Sequence, residues 1–186
     1  MKKTTTFLAL LMALAVSAQS TWKSDRAHSK VGFAISHMMI AEVEGSFGEF
    51  EITATADDAF AEPNFTVNIA SSSIDTDNER RDGHLKSADF FEVETYPTIE
   101  FTTTGYEKTG DNTFTLTGDL TMHGVTKPVT LEGRLNGVIT DQRSQKLKAG
   151  LKLTGTVNRK EFGVGSKPFP VGEEVDITVH LEMAQQ

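Results

Sequence analysis

The sequence predicts an all-β fold in which eight antiparallel strands enclose one apolar core. Apolar and polar residues alternate through most of the chain, turn signals separate the alternating segments, and one segment breaks the pattern. A period of two places successive side chains on opposite faces of a strand, so each strand has one apolar and one polar face. The expected strands are residues 28–37, 43–55, 64–72, 98–108, 112–122, 126–139, 145–157 and 174–183.

The second of these strands needs a local irregularity. Val43 and Phe47 lie in one phase of the alternation, whereas Phe50 and Ile52 lie in the other. A β-bulge near Gly48 would bring both sets to the same face. The other strands keep one phase each, and short turn signals such as His123-Gly124 connect several of them.

The insertion at residues 77–91 has no alternation and is rich in charged residues. Thr76 or Asp77 is a suitable helix cap, and Glu79 would then lie in the first turn. Gly83 weakens a helix, so one or two short helical turns are expected here.

Residues 1–18 have the pattern of an export signal. Lys2 and Lys3 precede the apolar run from Phe7 to Val16, and small residues at Ser17 and Ala18 suit signal-peptidase cleavage. This run of ten residues is too short for a transmembrane helix, which needs about 20. The expected mature chain is one domain over residues 19–186, in the periplasm or secreted, without a transmembrane segment.

Charge and composition exclude several classes of protein. The 186 residues carry 18 Lys and Arg against 26 Asp and Glu, for a net charge of −8. This balance argues against a nucleic-acid partner, whose phosphates require basic patches. The absence of cysteine excludes disulfides, thiol catalysis and cysteine zinc sites.

Eight such strands can close into a barrel or pack as a sandwich. The inward set mixes large residues such as Phe33 and Phe114 with small ones such as Gly118 and Ala149. This mixture fits a side-chain-filled interior or a tunnel for one small ligand, and the pattern alone leaves both open.

Four segments, and a fifth near the end of the chain, resemble the YceI-like family of polyisoprenoid-binding proteins. The resemblance covers essentially the whole mature chain. The matching segments are Asp25 to Ser29 with Val31 to Phe33 and Ser36-His37; Val43 to Phe47 with Phe50; Ser73 to Thr76, Arg81 to Leu85, Ser87 to Phe91 and Tyr96-Pro97; Gly118 to Thr126; and Asn158 to Gly163, an Arg-x-x-Phe-Gly signature.

The resemblance implies an exported, lipocalin-like antiparallel barrel of eight strands with a short helical insertion. It also implies that the barrel binds an isoprenoid lipid or similar long-chain amphiphile in an apolar pore. No cofactor other than such a lipid is expected. Because members of the family are often dimers, a homodimer is implied as well.

The candidate ligand-binding residues fall into three groups. The first group forms the wall, the second covers one end, and the third is a flexible rim after the first strand, where methionine adapts to shape. Wall candidates are Phe33, Ile35, Val67, Ile69, Phe101, Leu120, Met122 and Leu131; end candidates are Phe47, Leu85, Phe90 and Phe91; and the rim begins at Met38 in the run Met38-Met39-Ile40.

The polar candidates have structural alternatives. His37 shares the inward phase of Phe33, so it either contacts a ligand head group or binds a backbone carbonyl. Arg81 and Asp82 fix the insertion through ion pairs or caps, or Arg81 meets a phosphate head group at the pore mouth. The five histidines lie on separate elements, which argues against a metal site.

Three functions remain open at this point. The leading prediction is a non-enzymatic carrier, store or scavenger of isoprenoid lipids, with ligand access gated by residues 77–91 or 38–42. An enzyme in the same barrel would use His37 and a carboxylate as acid and base. A structural or interaction protein would have a filled core.

Overall fold

The computed structural model describes residues 19–186, which form a closed eight-stranded antiparallel β-barrel with one short helix. The predicted fold class, an eight-stranded antiparallel barrel, is confirmed, and the sandwich that the alternation alone left open is excluded. The expected export signal at residues 1–18 lies outside the described residues. The strands are β1 (Ser20–Ser24), β2 (Lys30–His37), β3 (Ala41–Phe47), β4 (Phe50–Ala56), β5 (Asn64–Ala70), β6 (Ile74–Asp75), β7 (Thr98–Lys108), β8 (Thr113–Met122), β9 (Val125–Thr140), β10 (Leu147–Asn158) and β11 (Val171–Gln185).

The barrel has eight positions because β1 and β2 together occupy one of them and β3 and β4 together occupy the next, while β6 is a short strand at the edge of β3. β1 and β2 follow one another along the barrel and pair with β4 and β3 respectively, and both also pair with β11. β4 pairs with β5 and β5 with β7, and from β7 to β11 each strand pairs with the one that follows it in the chain. The barrel is therefore an up-and-down meander closed between β11 and β1–β2.

The irregularity expected near Gly48 separates β3 from β4. The amide of Gly48 donates to the carbonyl of Ser73 at 3.0 Å, and β6 pairs with β3 just before it. The break shifts the phase, so Phe47 and Ile52 are both buried, as the sequence predicted. β1 was not predicted, because Trp22 is its one large apolar residue and no alternation is visible.

The insertion contains the helix α1 (Glu79–Lys86). Its N-cap is Asn78, whose side chain accepts from the amide of Arg81 at 3.0 Å, so the caps expected at Thr76 or Asp77 are wrong. Asp77 has φ of 58°, and the chain turns there before the helix begins. Two 3₁₀ turns also occur, at Ser71–Ser73 and Arg159–Phe162.

The two ends of the barrel differ. We call one the helix end, which carries α1, the turn at residues 38–40, the β8–β9 turn and the segment 159–170. The other is the plugged end, which carries the loops 57–63, 109–112 and 141–146. The side chains that fill the interior toward the plugged end are Trp22, Phe60, Phe114, Leu116, Leu151 and Met183, each at most 4% exposed.

Candidate functional site

The half of the barrel nearer the helix end encloses a cavity of about 430 Å³. Its wall is made of inward side chains from β2, β3, β4, β5, β7, β8, β9, β10 and β11, so the alternation of each strand directly provides the lining. The barrel is thus filled toward one end and hollow toward the other. The wall residues include Val31, Phe33, Ile35, Val67, Ile69, Ile99, Phe101, Leu120, Met122, Val129, Leu131, Leu153, Val157, Val175, Ile177, Val179 and Leu181.

Aromatic rings close the floor of the cavity. Phe65 lines the cavity and packs against Phe60 with ring centroids 6.1 Å apart. Phe60 meets Trp22 edge-on at 4.9 Å, and the indole nitrogen of Trp22 donates to the carbonyl of Ala56 at 3.4 Å. These contacts leave the helix end as the wider approach to the cavity.

Aromatic side chains also lie across the helix end. Phe90 packs against Phe169 with ring centroids 4.7 Å apart, and His84 of α1 contacts both rings at 5.1 and 5.6 Å. Phe91 meets Phe47 edge-on at 5.9 Å. All five residues line the cavity, so α1 and the segment 163–170 together cover its mouth.

The polar residues of the lining gather at this mouth. His37 ends β2, Thr76 precedes α1, Arg81 and His84 belong to α1, and Arg159 follows β10. Within residues 19–186 the lining contains no Asp or Glu. The cavity therefore has an apolar body and a mouth whose charged side chains are cationic.

Arg159 is 4% exposed and donates only to backbone carbonyls. Its Nε donates to Gly172 at 2.8 Å, and its Nη1 donates to Val164 at 2.9 Å and to Gly165 at 2.7 Å. Burial lowers the pKa of the Arg159 guanidinium, while the charge of Glu173 partly opposes this. Within residues 19–186 Arg159 forms no direct ion pair with a carboxylate, so it joins β10 to the segment 163–172 through hydrogen bonds to backbone carbonyls alone.

Arg81 is half-buried at the mouth and is held by Thr76. Its Nε donates to the Thr76 hydroxyl at 2.7 Å and its Nη2 to the Thr76 carbonyl at 2.6 Å. The same hydroxyl donates to Asp82 at 2.5 Å, and Asp82 also accepts from the Thr76 amide. Of the two expected means, ion pairs or caps, neither is the one used: Arg81 and Asp82 fix the insertion through hydrogen bonds to Thr76. Arg81 Nη1 makes no hydrogen bond within residues 19–186.

Three polar residues, His84, Asp89 and Lys167, join α1 to the segment 163–170, and we call them the polar latch. Lys167 donates to one oxygen of Asp89, and His84 Nε2 lies 3.3 Å from the other. The hydrogen bond from Lys167, followed by that from His84, lowers the pKa of Asp89 below its ordinary value. All three side chains are partly exposed, so the latch is accessible to water.

Every predicted ligand-binding residue except Met38 lines the cavity. Met38 is 58% exposed on the β2–β3 turn, outside the lining, beside Met39 and Ile40, which are 94% and 85% exposed. Contact of these residues with a ligand stays a prediction. Arg159, His84 and Phe169 also line the cavity and were not predicted as site residues. Of these, Arg159 could have been found from the sequence, because it lies between an alternating apolar strand and Phe162-Gly163.

A group of metal-ligand type lies outside the site. Asp25, His28 and Glu182 bring one ligand atom each within 4.8 Å of one another. Lys148 donates to Glu182 at 2.7 Å and lies 3.7 Å from Asp141, so a cation already balances this group. The histidine of this group is solvent-exposed and belongs to the surface network.

Among residues 19–186, no helix has the length and apolar character needed to cross a membrane. The family model described as a YceI-like domain matches residues 22–183. Protein YceI of Escherichia coli O17:K52:H18 is 37% identical over 184 residues, covering 97% of this chain and 95% of that protein.

Two solved structures have a similar fold. The crystal structure of the Campylobacter jejuni YceI protein has 32% identity and a TM-score of 0.75, covering 87% of this chain and 96% of that one. A polyisoprenoid binding domain from Saccharophagus degradans, implicated in plant cell wall breakdown, has a TM-score of 0.63 at 14% identity, covering 89% and 98%. The match over residues 22–183, with the 37% identity to the Escherichia coli protein, shows that this chain belongs to the YceI-like family.

Proposed function

We propose that this protein binds an isoprenoid lipid or a similar long-chain amphiphile, with the tail in the barrel cavity and the head group at the helix end. The observation that carries the proposal is the separation of polarity within the cavity: the body is apolar, and the polar side chains of the lining lie at the mouth. A binding site for an amphiphile needs this arrangement, because tail and head differ in polarity.

The apolar body supplies the affinity. Each Å² of apolar ligand surface removed from water contributes about 25 cal/mol before the costs of association. Wall residues such as Ile69, Leu131 and Ile177 offer no hydrogen bonds that a polar ligand would need. A cavity of about 430 Å³ in this surrounding favours a flexible apolar chain over a polar metabolite.

The ligand class agrees with the description of one relative. The Saccharophagus degradans domain of the same fold is a polyisoprenoid binding domain, and our proposal places the same class of ligand in this barrel. We include in the proposal that residues 1–18 direct export and that the mature protein carries, stores or scavenges the lipid outside the cytoplasm.

Binding is favoured over catalysis by the composition of the mouth. The enzyme alternative requires His37 beside a carboxylate, and the cavity lining within the described chain has none. The filled-core alternative is disfavoured by the cavity itself.

The test is extraction of the purified mature protein with organic solvent, followed by mass spectrometry. We expect one equivalent of an isoprenoid or another long-chain amphiphile. The matched variants are Val67→Trp, which places an indole on a lining position, and Thr66→Trp, which places it on the exposed face of the same strand. Loss of the lipid in Val67→Trp and retention in Thr66→Trp would locate it in the cavity.

Two results would contradict the proposal. One is an empty extract that stays empty after incubation with prenyl alcohols and fatty acids of several lengths. The other is equal lipid content in the two tryptophan variants, provided that both retain the β-sheet circular dichroism of the parent protein, since the lipid would then bind outside the barrel.

A further inference from the structure

The turn between β2 and β3 exposes three adjacent large apolar side chains, Met38, Met39 and Ile40, which we call the apolar tip. Each of them is more than half exposed. Within residues 19–186, the other exposed large apolar side chain is Ile139, which lies alone near the plugged end. Single apolar residues are ordinary on a protein surface, whereas a contiguous apolar patch marks an interaction site. The apolar tip is therefore a candidate for contact with another molecule.

The backbone of this turn is unfavourable for methionine. Met38 and Met39 have φ of 53° and 59°, a left-handed conformation that is uncommon for residues other than glycine, asparagine and aspartate. Asn-Gly is strongly preferred where two adjacent turn residues both have positive φ. A turn that only connected two strands would be more stable with those residues, so the methionine side chains need another explanation.

The apolar tip lies at the rim of the cavity. His37, which directly precedes the tip, and Pro170 both line the cavity. The amide of Met38 donates to the carbonyl of Pro170 at 2.8 Å, which joins the tip to the segment 163–170 that covers the mouth. A surface that contacts the tip therefore lies beside the mouth of the cavity.

The size of the tip favours a bilayer over a second copy of the chain. A stable dimer buries about 800 Å² of each partner, which is more than a turn of three residues supplies. A bilayer needs no complementary shape, because apolar side chains enter its interface individually. Methionine suits such a disordered surrounding, since its side chain is flexible.

The charges around the tip indicate which bilayer it fits. Glu42 follows the tip, residues 76–97 hold six acidic and three basic residues, and residues 159–170 hold one acidic and three basic residues. This mixture provides no extended basic surface, which an anionic membrane would require. The tip therefore fits a zwitterionic lipid surface, where burial of apolar side chains is the main attraction.

We propose that the apolar tip inserts into the surface of a zwitterionic lipid bilayer and holds the mouth of the cavity against it. The choice of a bilayer rests on the proposed function, because a protein that binds a membrane lipid must meet the membrane that supplies or receives it. Insertion itself needs no bound ligand, so the delipidated protein inserts as well.

The experiment measures sedimentation of the purified mature protein with phosphatidylcholine vesicles. We expect binding that sodium chloride does not weaken and that added phosphatidylglycerol does not strengthen, because salt screens charges and not apolar burial. Met39→Trp supplies a reporter, since the single tryptophan of the parent chain, Trp22, is fully buried. Vesicles should shift the emission of this variant to shorter wavelength and leave the emission of the parent unchanged.

Variants locate the contact at the tip. Ile40→Asp should bind vesicles about tenfold more weakly or worse, because a carboxylate resists leaving water. Ile139→Asp is the matched control, because it makes the same change at an exposed isoleucine near the plugged end. It should bind as the parent does.

A second variant excludes misfolding as the cause. Met38→Asn combined with Met39→Gly gives the turn the residues that its backbone favours, so its thermal stability should equal or exceed that of the parent. Its vesicle binding should nevertheless fall, because two of the three apolar side chains are gone.

Several results would overturn the proposal. These are a parent protein that does not bind phosphatidylcholine vesicles, equal binding by Ile40→Asp and Ile139→Asp, and binding that requires anionic lipid and disappears at high salt. A dimer that Ile40→Asp dissociates, without vesicle binding by the parent, would assign the tip to self-association instead.

The proposed function can fail separately. An empty solvent extract from a protein that still binds vesicles through the tip would contradict lipid binding in the barrel and support insertion. Lipid retained by a protein that ignores vesicles would contradict insertion and leave lipid binding intact.

Discussion

The ring of Phe114 on β8 packs over Gly133, the residue directly opposite on β9, and fills the space that a side chain there would occupy. A Cβ atom at Gly133 would lie closer than 3.0 Å to three atoms of this ring. Phe114 cannot move away easily, because it is 4% exposed and stacks on Tyr106 at 5.3 Å. Phe33 lies over Gly45, its direct partner, in the same way, and Phe101 lies over Gly118, which is diagonal to it on the neighbouring strand.

We predict that Gly133→Ala lowers the free energy of unfolding by about 1–3 kcal/mol, the range for a side chain forced into a packed core. Gly150→Ala is the control, because the nearest atom to its added Cβ would be Asn136 Cβ at 3.8 Å, an ordinary contact. Urea unfolding of both variants measures the difference. Equal stability of the two would contradict the role given to the Phe114–Gly133 contact.

These pairs show what the sequence reveals and what it hides. Alternation places Phe114, Gly118 and Gly133 on the inner face, because a strand has a period of two wherever it runs. Whether glycines leave a tunnel or receive a neighbouring ring depends on cross-strand register, which no local pattern encodes. Rings cover glycines in the filled part of the barrel, as Phe114 covers Gly133, and also beside the cavity, as Phe33 covers Gly45, so the positions of the glycines do not predict which part of the barrel is hollow.

The mouth was less predictable than the wall. The wall residues repeat a local rule, whereas Arg159 acquires its role from carbonyls of Val164, Gly165 and Gly172, which come close only after the segment folds over β10. Asn78 was missed as the cap because three adjacent residues, Thr76 to Asn78, are all good caps, and the left-handed turn at Asp77 decides among them.

Arg159→Met should destabilise the protein by about 3 kcal/mol or more, because several buried carbonyls lose their donor at about 1–3 kcal/mol each. Arg159→Lys keeps the charge with fewer donors, so we expect an intermediate loss. Lys152→Met, on the exposed face of β10, is the control for removing a long cationic side chain. If urea unfolding gave Arg159→Met the stability of the control, the carbonyl contacts would contribute little.

The latch of His84, Asp89 and Lys167 should open at low pH. The pKa of Asp89 is lower in the folded protein than the usual 3.8, so its contribution is complete above that value and is lost as pH falls through the folded pKa. We expect amide-exchange protection of the segment 163–170, corrected for intrinsic rates, to fall as pH drops below 3.8.

Asp89→Asn tests the origin of this pH dependence. The variant should show reduced protection of the segment 163–170 already at pH 7, with little further change on acidification, because Lys167 and His84 then lack their carboxylate partner. Asp111→Asn, at the plugged end, provides the matched control. A wild-type pH profile in Asp89→Asn would show that another group holds the segment.

Gly83 lies within α1, and an added Cβ would meet no atom within 4 Å. Gly83→Ala should therefore stabilise the helix by about 0.5–1 kcal/mol, because alanine loses less conformational freedom and makes no new clash. Since α1 covers the cavity mouth, greater amide-exchange protection of residues 82–86 is the expected readout. Gly124→Ala, in the β8–β9 turn, should instead lower the free energy of unfolding, because Gly124 has φ of 74° and an added Cβ would lie 2.6 Å from the Tyr96 ring. Unchanged protection in Gly83→Ala would mean that packing against the mouth, rather than helix propensity, limits the stability of α1.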